Sequence, residues 1–272
     1  MSRRRLLGLL GALGLVGCTG GRTRTPAGVV RRVEAYGDGP LARGEWWVPD
    51  RPGRLPTVVL VHGGYWEPGY DRSLEDPVAA DLAGRGYLVW NVDYRAADAA
   101  WPATLLDVAA AHDHAARDAR VDPARTAVVG HSAGGHLALW LASRRRLPAG
   151  APGADPSAPP PALCVAQAPV AALVEGVALG LGGGAVPALL DGTPDDVPDR
   201  YAVTDPVALA PTGVPTVLLH SARDDLVPLS QSEAYVAADP AARLVRVPGD
   251  HFAHLDPRSS ALDALRAELV AL

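Results

Sequence analysis

Residues 127 to 137 read Ala-Val-Val-Gly-His-Ser-Ala-Gly-Gly-His-Leu. An apolar, β-branched run ends at Gly130, and a helix-period pattern takes over at once and continues to Arg146. A strand that passes through Gly-x-Ser-x-Gly directly into a helix must turn very tightly. Gly130 and Gly134 permit it because neither brings a Cβ into the turn. The turn lifts the hydroxyl of Ser132 clear of the sheet, and the start of the next helix lays positive potential beside it. Strand before and helix after is the context in which this motif presents a nucleophilic serine.

Working outward, short aliphatic runs alternate with helix-period segments. The predicted strands are Gly44–Val48, Thr57–Val61, Tyr87–Val92, Thr126–Val129, Leu163–Gln167, Thr216–His220 and Leu244–Val247. Several are apolar without alternation, as expected of parallel strands covered on both faces. The predicted helices are Leu74–Gly84, Ala103–Arg120, Gly134–Arg146, Gln231–Ala238 and Ser259–Ala271. The alternation implies an α/β fold, a mostly parallel twisted sheet of about eight strands with helices on both faces. Two stretches interrupt it. Pro148–Pro161, mostly Pro, Ala and Gly, reads as an exposed loop. Val174–Val214, with Gly180-Leu181-Gly182-Gly183-Gly184 inside it, is too long for a simple connection and reads as a small lid over a site.

A serine nucleophile that transfers acyl groups needs donors for the developing oxyanion, a base and an acid. The strand Thr57–Val61 ends in His62-Gly63-Gly64-Tyr65-Trp66. Glycine lets a backbone approach closely, so the expected donors are the N–H groups of Gly64 and Tyr65, with that of Ala133 after the nucleophile. His62 precedes the serine and reads as a structural hydrogen-bonding residue. Trp66 reads either as a wall of the substrate pocket or as packing. After Thr216–His220 comes Ser221-Ala222-Arg223-Asp224-Asp225-Leu226-Val227-Pro228, where Asp224 is the expected acid and Asp225 the alternative. After Leu244–Val247 comes Pro248-Gly249-Asp250-His251-Phe252-Ala253-His254, where His251 is the expected base and His254 the alternative. The order Ser, acid, His is the chain order of one particular hydrolase architecture. The histidines at 112, 114, 131, 136 and 220 read as surface or packing residues. His112 and His114 are two apart, point to different sides of a helix and make no zinc pair.

The first seventeen residues have three arginines at 3 to 5, an apolar run from Leu6 to Val16, and Gly17. A positive start and about ten apolar residues describe a secretory signal, too short for the roughly 20 residues of a membrane span. Ser2-Arg3-Arg4-Arg5-Leu6-Leu7 resembles a twin-arginine signal, the alternative being Sec export. Leu15-Val16-Gly17-Cys18 resembles a bacterial lipobox, which implies cleavage before Cys18 and a lipid anchor on its sulfur. Residues 18–33 are then the expected tether, 34–272 the folded domain, and the address the outer face of the cytoplasmic membrane. Cys164, the only other cysteine, lies in an apolar run with no ligand neighbours and reads as a buried structural thiol.

The chain has 272 residues and a formal charge of −5, with Arg as its only strong base. That charge argues against a nucleic-acid binder, which needs a basic face to neutralise phosphates. Two cysteines exclude a disulfide framework or a Cys₄ zinc site. No metal or organic cofactor is implied.

Together, His62-Gly63-Gly64, Asp93-Tyr94-Arg95, Gly130-His131-Ser132-Ala133-Gly134-Gly135-His136, Asp224 and Gly249-Asp250-His251-Phe252 resemble the α/β-hydrolase superfamily over roughly residues 34 to 272. His-Gly-Gly-Tyr-Trp with Gly-His-Ser-Ala-Gly-Gly-His-Leu resembles its kynurenine formamidase and feruloyl-esterase-like (BD-FAE-like) branch. The resemblance implies a Ser-His-Asp hydrolase of a small-molecule carboxylic ester or N-formyl aryl amide. Tryptophan catabolism is cytosolic, so an export signal points away from N-formylkynurenine and toward an esterase at the cell surface. Rival readings are an arylformamidase, an exopeptidase of the prolyl-oligopeptidase kind without its propeller, and a non-catalytic envelope binding lipoprotein.

Overall fold

The computed structural model describes residues 23–272. The expected signal peptide and Cys18 lie outside the described residues. In chain order the elements are β1 (Val29–Ala35), β2 (Arg43–Pro49), β3 (Leu55–Val61), α1 (Asp76–Gly84), β4 (Leu88–Val92), α2 (Ala103–Ala116), β5 (Val121–His131), α3 (Ala133–Ser143), β6 (Leu163–Gln167), α4 (Leu173–Ala178), α5 (Ala185–Leu190), α6 (Pro198–Ala202), α7 (Pro206–Leu209), β7 (Thr216–His220), α8 (Ser230–Ala238), β8 (Arg243–Arg246) and α9 (Ser260–Leu269). The strands form one eight-stranded sheet in the order β1-β2-β4-β3-β5-β6-β7-β8. Pairings from β4 to β8 are parallel, while β1 and β2 run antiparallel at one edge. The α/β architecture read from the sequence is the one observed.

The apolar, non-alternating strands are explained by burial on both faces. Val58, Leu60, Ala127 and Val129 face a layer made by α1 and α9. Val59, Val61 and Val128 face the opposite layer, with α2, α3 and the segment after β6. Alternate side chains of one strand thus enter two separate cores. Each fully buried Val or Leu contributes about 1.5–3 kcal/mol. Cys164 is buried in the second core, and burial pushes its thiol up to about 12, so it is an inert packing residue.

One segment differs from the sequence expectation. The sheet begins at Val29, inside the stretch expected to be tether. β1 carries Arg31, Arg32 and Glu34 and has no continuous apolar face; it is held by its ladder to β2 and by Arg31, which pairs with Glu45 at 2.6 Å and Asp76 at 2.9 Å and lies over the Trp47 ring. Residues 174–214 form a cluster of short helices docked on α3, where His136 contacts Thr204 O and Trp140 donates to Val203 O. Pro148–Pro161 is the expected loop, without helix or strand and largely exposed, and the Arg144 guanidinium ties it down by binding both Gly153 O and Asp113.

One buried group makes the fold sensitive to alkali. Glu75, in the single 3-10 turn before α1, is wholly buried and neither carboxyl oxygen has a partner. Burial pushes its carboxyl up to about 8. A carboxyl whose folded value lies above its unfolded one stabilises below the unfolded value, and that stability is lost as pH rises, here from about 4.5 to about 8. Glu75→Gln removes the titration. Wild type is expected to lose on the order of 4 kcal/mol more than the variant between pH 5 and pH 9, read from denaturant midpoints at both. Parallel pH profiles for the two proteins would show that Glu75 is ionised in the native state.

Candidate active site

The pieces singled out in the sequence all follow the carboxyl ends of parallel strands, where open α/β sheets place their sites. β3 leads to His62-Gly63-Gly64, β5 to Ser132, β7 to Asp224 and β8 to His251. Ser132 sits between β5 and α3 with φ 57° and ψ −118°, a left-handed backbone unusual for a residue with a Cβ. Its neighbours explain how so sharp a turn closes. A Cβ on Gly130 would stand 2.1 Å from Gly134 O, and one on Gly134 would stand 2.1 Å from Val61 O. The bend is fixed on its other side by Ser132 N–H donating to Gln167 O of β6 at 2.8 Å.

The glycine loop after β3 lies directly against this elbow. A Cβ on Gly63 would come within 3.1 Å of Ser132 Cβ. The turn is closed by Glu67 N–H donating to Gly64 O, and among the described residues the N–H groups of Gly64 and Tyr65 have no backbone acceptor. Ala133 opens α3, so its N–H has no partner within the helix. The three expected oxyanion donors are therefore all uncommitted and belong to segments in contact. His62 is buried behind them, stacked on Tyr94 with ring centroids 4.2 Å apart, and Tyr94 donates to His62 O at 2.8 Å. It packs under the loop with its Nδ1 2.7 Å from Gly63 O, and its nearby carboxylates, Asp93 and Asp71, are not members of the expected triad.

His251 Nδ1 lies 2.7 Å from Asp224 Oδ2. A carboxylate only accepts, so Nδ1 carries the hydrogen and Nε2 is left with a free lone pair, the tautomer a general base needs. Asp224 Oδ1 accepts from the N–H groups of Leu226 and Val227 at 3.0 and 2.9 Å. Burial pushes the Asp224 carboxyl up, but hydrogen bonds from His220 and His251 outweigh it and hold it well below the usual carboxylate range. The alternatives fall away on position. Asp225 is exposed, His254 contacts Gln167 and no carboxylate, and Asp250 caps its own turn by accepting from Phe252 N–H. A hydrogen bond between Ser132 Oγ and His251 is not made; such contacts often tighten only when substrate is bound.

Two histidines read as packing residues are in fact part of the site's framework. His131, beside the nucleophile, is buried, and its Nε2 contacts His251 O at 2.9 Å, with the two rings 4.6 Å apart. Burial, then the nearness of His251 and His254, holds His131 well below the usual histidine range, so it stays neutral. His220 ends β7 and touches Asp224. Neither has a sequence signature, because a lone histidine beside an apolar run looks like any core residue. Trp66 is corrected as a pocket wall: it is 1% exposed and packs edge-on against His136. Tyr65, one position earlier, is partly exposed beside a cleft that none of Ser132, Asp224 and His251 lines. Its ring lines a cleft of about 340 Å³ with Glu67, Pro68, Ala97, Asp98 and the Gly182–Ala185 edge of the segment after β6. Its hydroxyl donates to Leu226 O in the acid loop at 2.9 Å. Among the described residues, no group of three or more His, Cys, Asp or Glu is arranged to hold a metal.

The chain is similar to known proteins in both sequence and fold. The BD-FAE family model matches residues 47–148. The carboxylesterase NlhH of Mycobacterium tuberculosis (strain CDC 1551 / Oshkosh) is 38% identical over 112 residues, which cover 39% of this chain and 35% of that protein. The chain thus spans about a third of the length of that relative. An uncharacterised protein of Mycobacterium tuberculosis (strain ATCC 25618 / H37Rv) is 31% identical over 252 residues, covering 89% of this chain and 79% of its own. Among solved structures, a truncated carbohydrate esterase from gut microbiota superposes with a TM-score of 0.78 at 18% identity, covering 89% of this chain and 95% of that one. Esterase B from Lactobacillus rhamnosis superposes with a TM-score of 0.76 at 20% identity, covering 91% and 86%. Those two likenesses speak for the fold, and the motifs and the long relative for descent: the chain belongs to the α/β-hydrolase superfamily, in its BD-FAE-like branch.

Proposed function

We propose that the protein is a serine esterase that cleaves small-molecule carboxylic esters through an acyl-enzyme, and that it is exported and lipid-anchored at Cys18. The observation that carries the catalytic part is the 2.7 Å contact between His251 Nδ1 and Asp224 Oδ2, beside a strained serine elbow. Ser132 Oγ attacks the acyl carbon and His251 Nε2 takes its proton. The oxyanion is met by the N–H of Ala133 and those of the Gly64–Tyr65 turn. His251 then returns the proton to the departing alcohol, and water activated the same way releases the acid. Asp224 keeps the imidazole in the working tautomer and stabilises its cation. Support for ester over amide substrates comes from the names of the matched relatives, carboxylesterase NlhH and esterase LipC. The anchoring rests on Leu15-Val16-Gly17-Cys18 alone.

The test is a panel of p-nitrophenyl esters, N-formylkynurenine and Xaa-Pro amides, run beside fluorophosphonate labelling. Labelling with turnover confined to the esters is the expected result. A folded protein that does not label overturns the enzyme reading, and faster turnover of the formamide or the amides overturns the substrate class. Anchoring is read separately, by [³H]palmitate incorporation that Cys18→Ala abolishes.

A further inference from the structure

We propose that His220 is a positioning residue for this reaction, its Nε2–H holding Asp224 Oδ2 in the orientation that faces His251. The proposal rests on the serine-esterase reading above. His220 is wholly buried at the end of β7. Its Nδ1 lies 2.7 Å from Ser232 Oγ on α8, and its Nε2 lies 2.9 Å from Val227 O and 3.4 Å from Asp224 Oδ2. A backbone carbonyl can only accept, so Nε2 carries a hydrogen whatever the charge of the ring. That hydrogen is bonded to the carbonyl, with the carboxylate oxygen beside it at 3.4 Å, while Ser232 meets the ring from the other side.

Every oxygen of Asp224 is thereby assigned. Oδ1 takes the two amides of its own loop, and Oδ2 takes His251 on one side and His220 on the other. Filling the core at position 220 would need only an apolar side chain, like those of Leu218 and Leu219 just before it. A ring with both nitrogens engaged does more, because it ties the carboxylate to the end of β7 and to α8. The second donor also draws electron density from Oδ2 and so tempers its hold on the imidazolium of His251. Without that donor, Oδ2 grips the cation harder and the base is released only at higher pH. The other titratable groups facing this unit are His131 from β5, His254 from the turn after His251, and Tyr65 from the glycine loop; His254 also feels the ring of His220, but burial is the larger cause that holds it below the usual histidine range.

The variants are His220→Met, which keeps the bulk and loses the donor, and His220→Gln, whose amide restores an N–H near the Nε2 position. Both are assayed on p-nitrophenyl acetate across pH, with active sites counted by fluorophosphonate titration. His220→Met is expected to lower kcat per labelled site about tenfold with KM nearly unchanged, and to move the acid limb of kcat/KM upward by about half a pH unit. His220→Gln is expected to return the limb to its wild-type position. A His220→Met limb that coincides with wild type, with the loss lying only in the fraction of labelled sites, overturns the proposal and leaves His220 as packing. Should His220→Met not fold, His220→Asn replaces it, since its shorter amide serves Ser232 but does not reach Asp224; an unmoved limb there has the same meaning. Wild-type protein that neither labels nor turns over refutes the esterase reading instead.

Discussion

Ser132→Ala is expected to abolish ester hydrolysis, with a loss on the order of 10⁶ in kcat, the size found when the nucleophile of a triad is removed. The change deletes one oxygen at a residue that is almost fully buried, so the fold is expected to survive it. The elbow's backbone bonds, Ser132 N–H to Gln167 O and His136 N–H to Ser132 O, do not involve the side chain. An unchanged melting temperature together with lost labelling is the expected pair of observations. A variant that still labels as strongly as wild type would place the nucleophile elsewhere.

Asp224→Asn should cost about 10⁴ in kcat while leaving the site's shape intact. The loop dictates the outcome. Two amide N–H groups, from Leu226 and Val227, converge on Oδ1, so an asparagine must place its single oxygen there. Its NH₂ then takes the position of Oδ2 and points a donor at His251 Nδ1. The imidazole is driven to the opposite tautomer, with hydrogen on Nε2, and can no longer accept the serine proton. The exposed neighbour is the control: Asp225→Asn should change kcat less than about twofold, as surface changes away from a network usually do little. Activity of Asp224→Asn within tenfold of wild type would remove Asp224 from the triad.

Why some parts were legible and others not follows from what local sequence encodes. The Gly130–Gly134 elbow was readable because a strand, a tight turn and a helix are written consecutively, and no distant contact is needed to interpret them. Asp224 and His251 were found by chain order and by the resemblance of their loops to those of α/β-hydrolases, yet 27 residues separate them and only the sheet brings them within 2.7 Å. β1 escaped because its stability is tertiary: its charged residues have no strand period, and the ladder to β2 and the Arg31 pairs decide its conformation. The helices α4 to α7 have four to six residues each, too short to show a 3.6-residue period. β5 starts at Val121, five residues before the expected Thr126, because Pro123 reads locally as a break while the Leu55–Val121 pairing overrides it. Trp66 and Tyr65 differ by one position, and the left-handed backbone at both turns the first ring inward and the second toward the cleft.

The left-handed backbone at Ser132 sets two selective pressures against each other at one position. Holding a residue with a Cβ in that conformation costs on the order of 1–3 kcal/mol, which the surrounding contacts must offset. Glycine would occupy the elbow without that strain and without a hydroxyl. Mutational drift judged by stability alone would therefore favour the change that silences the protein, and serine persists there only where hydrolysis itself is under selection. A library of variants ranked by thermal stability should accordingly be enriched in inactive elbows, and thermostabilisation of this fold has to be screened on turnover.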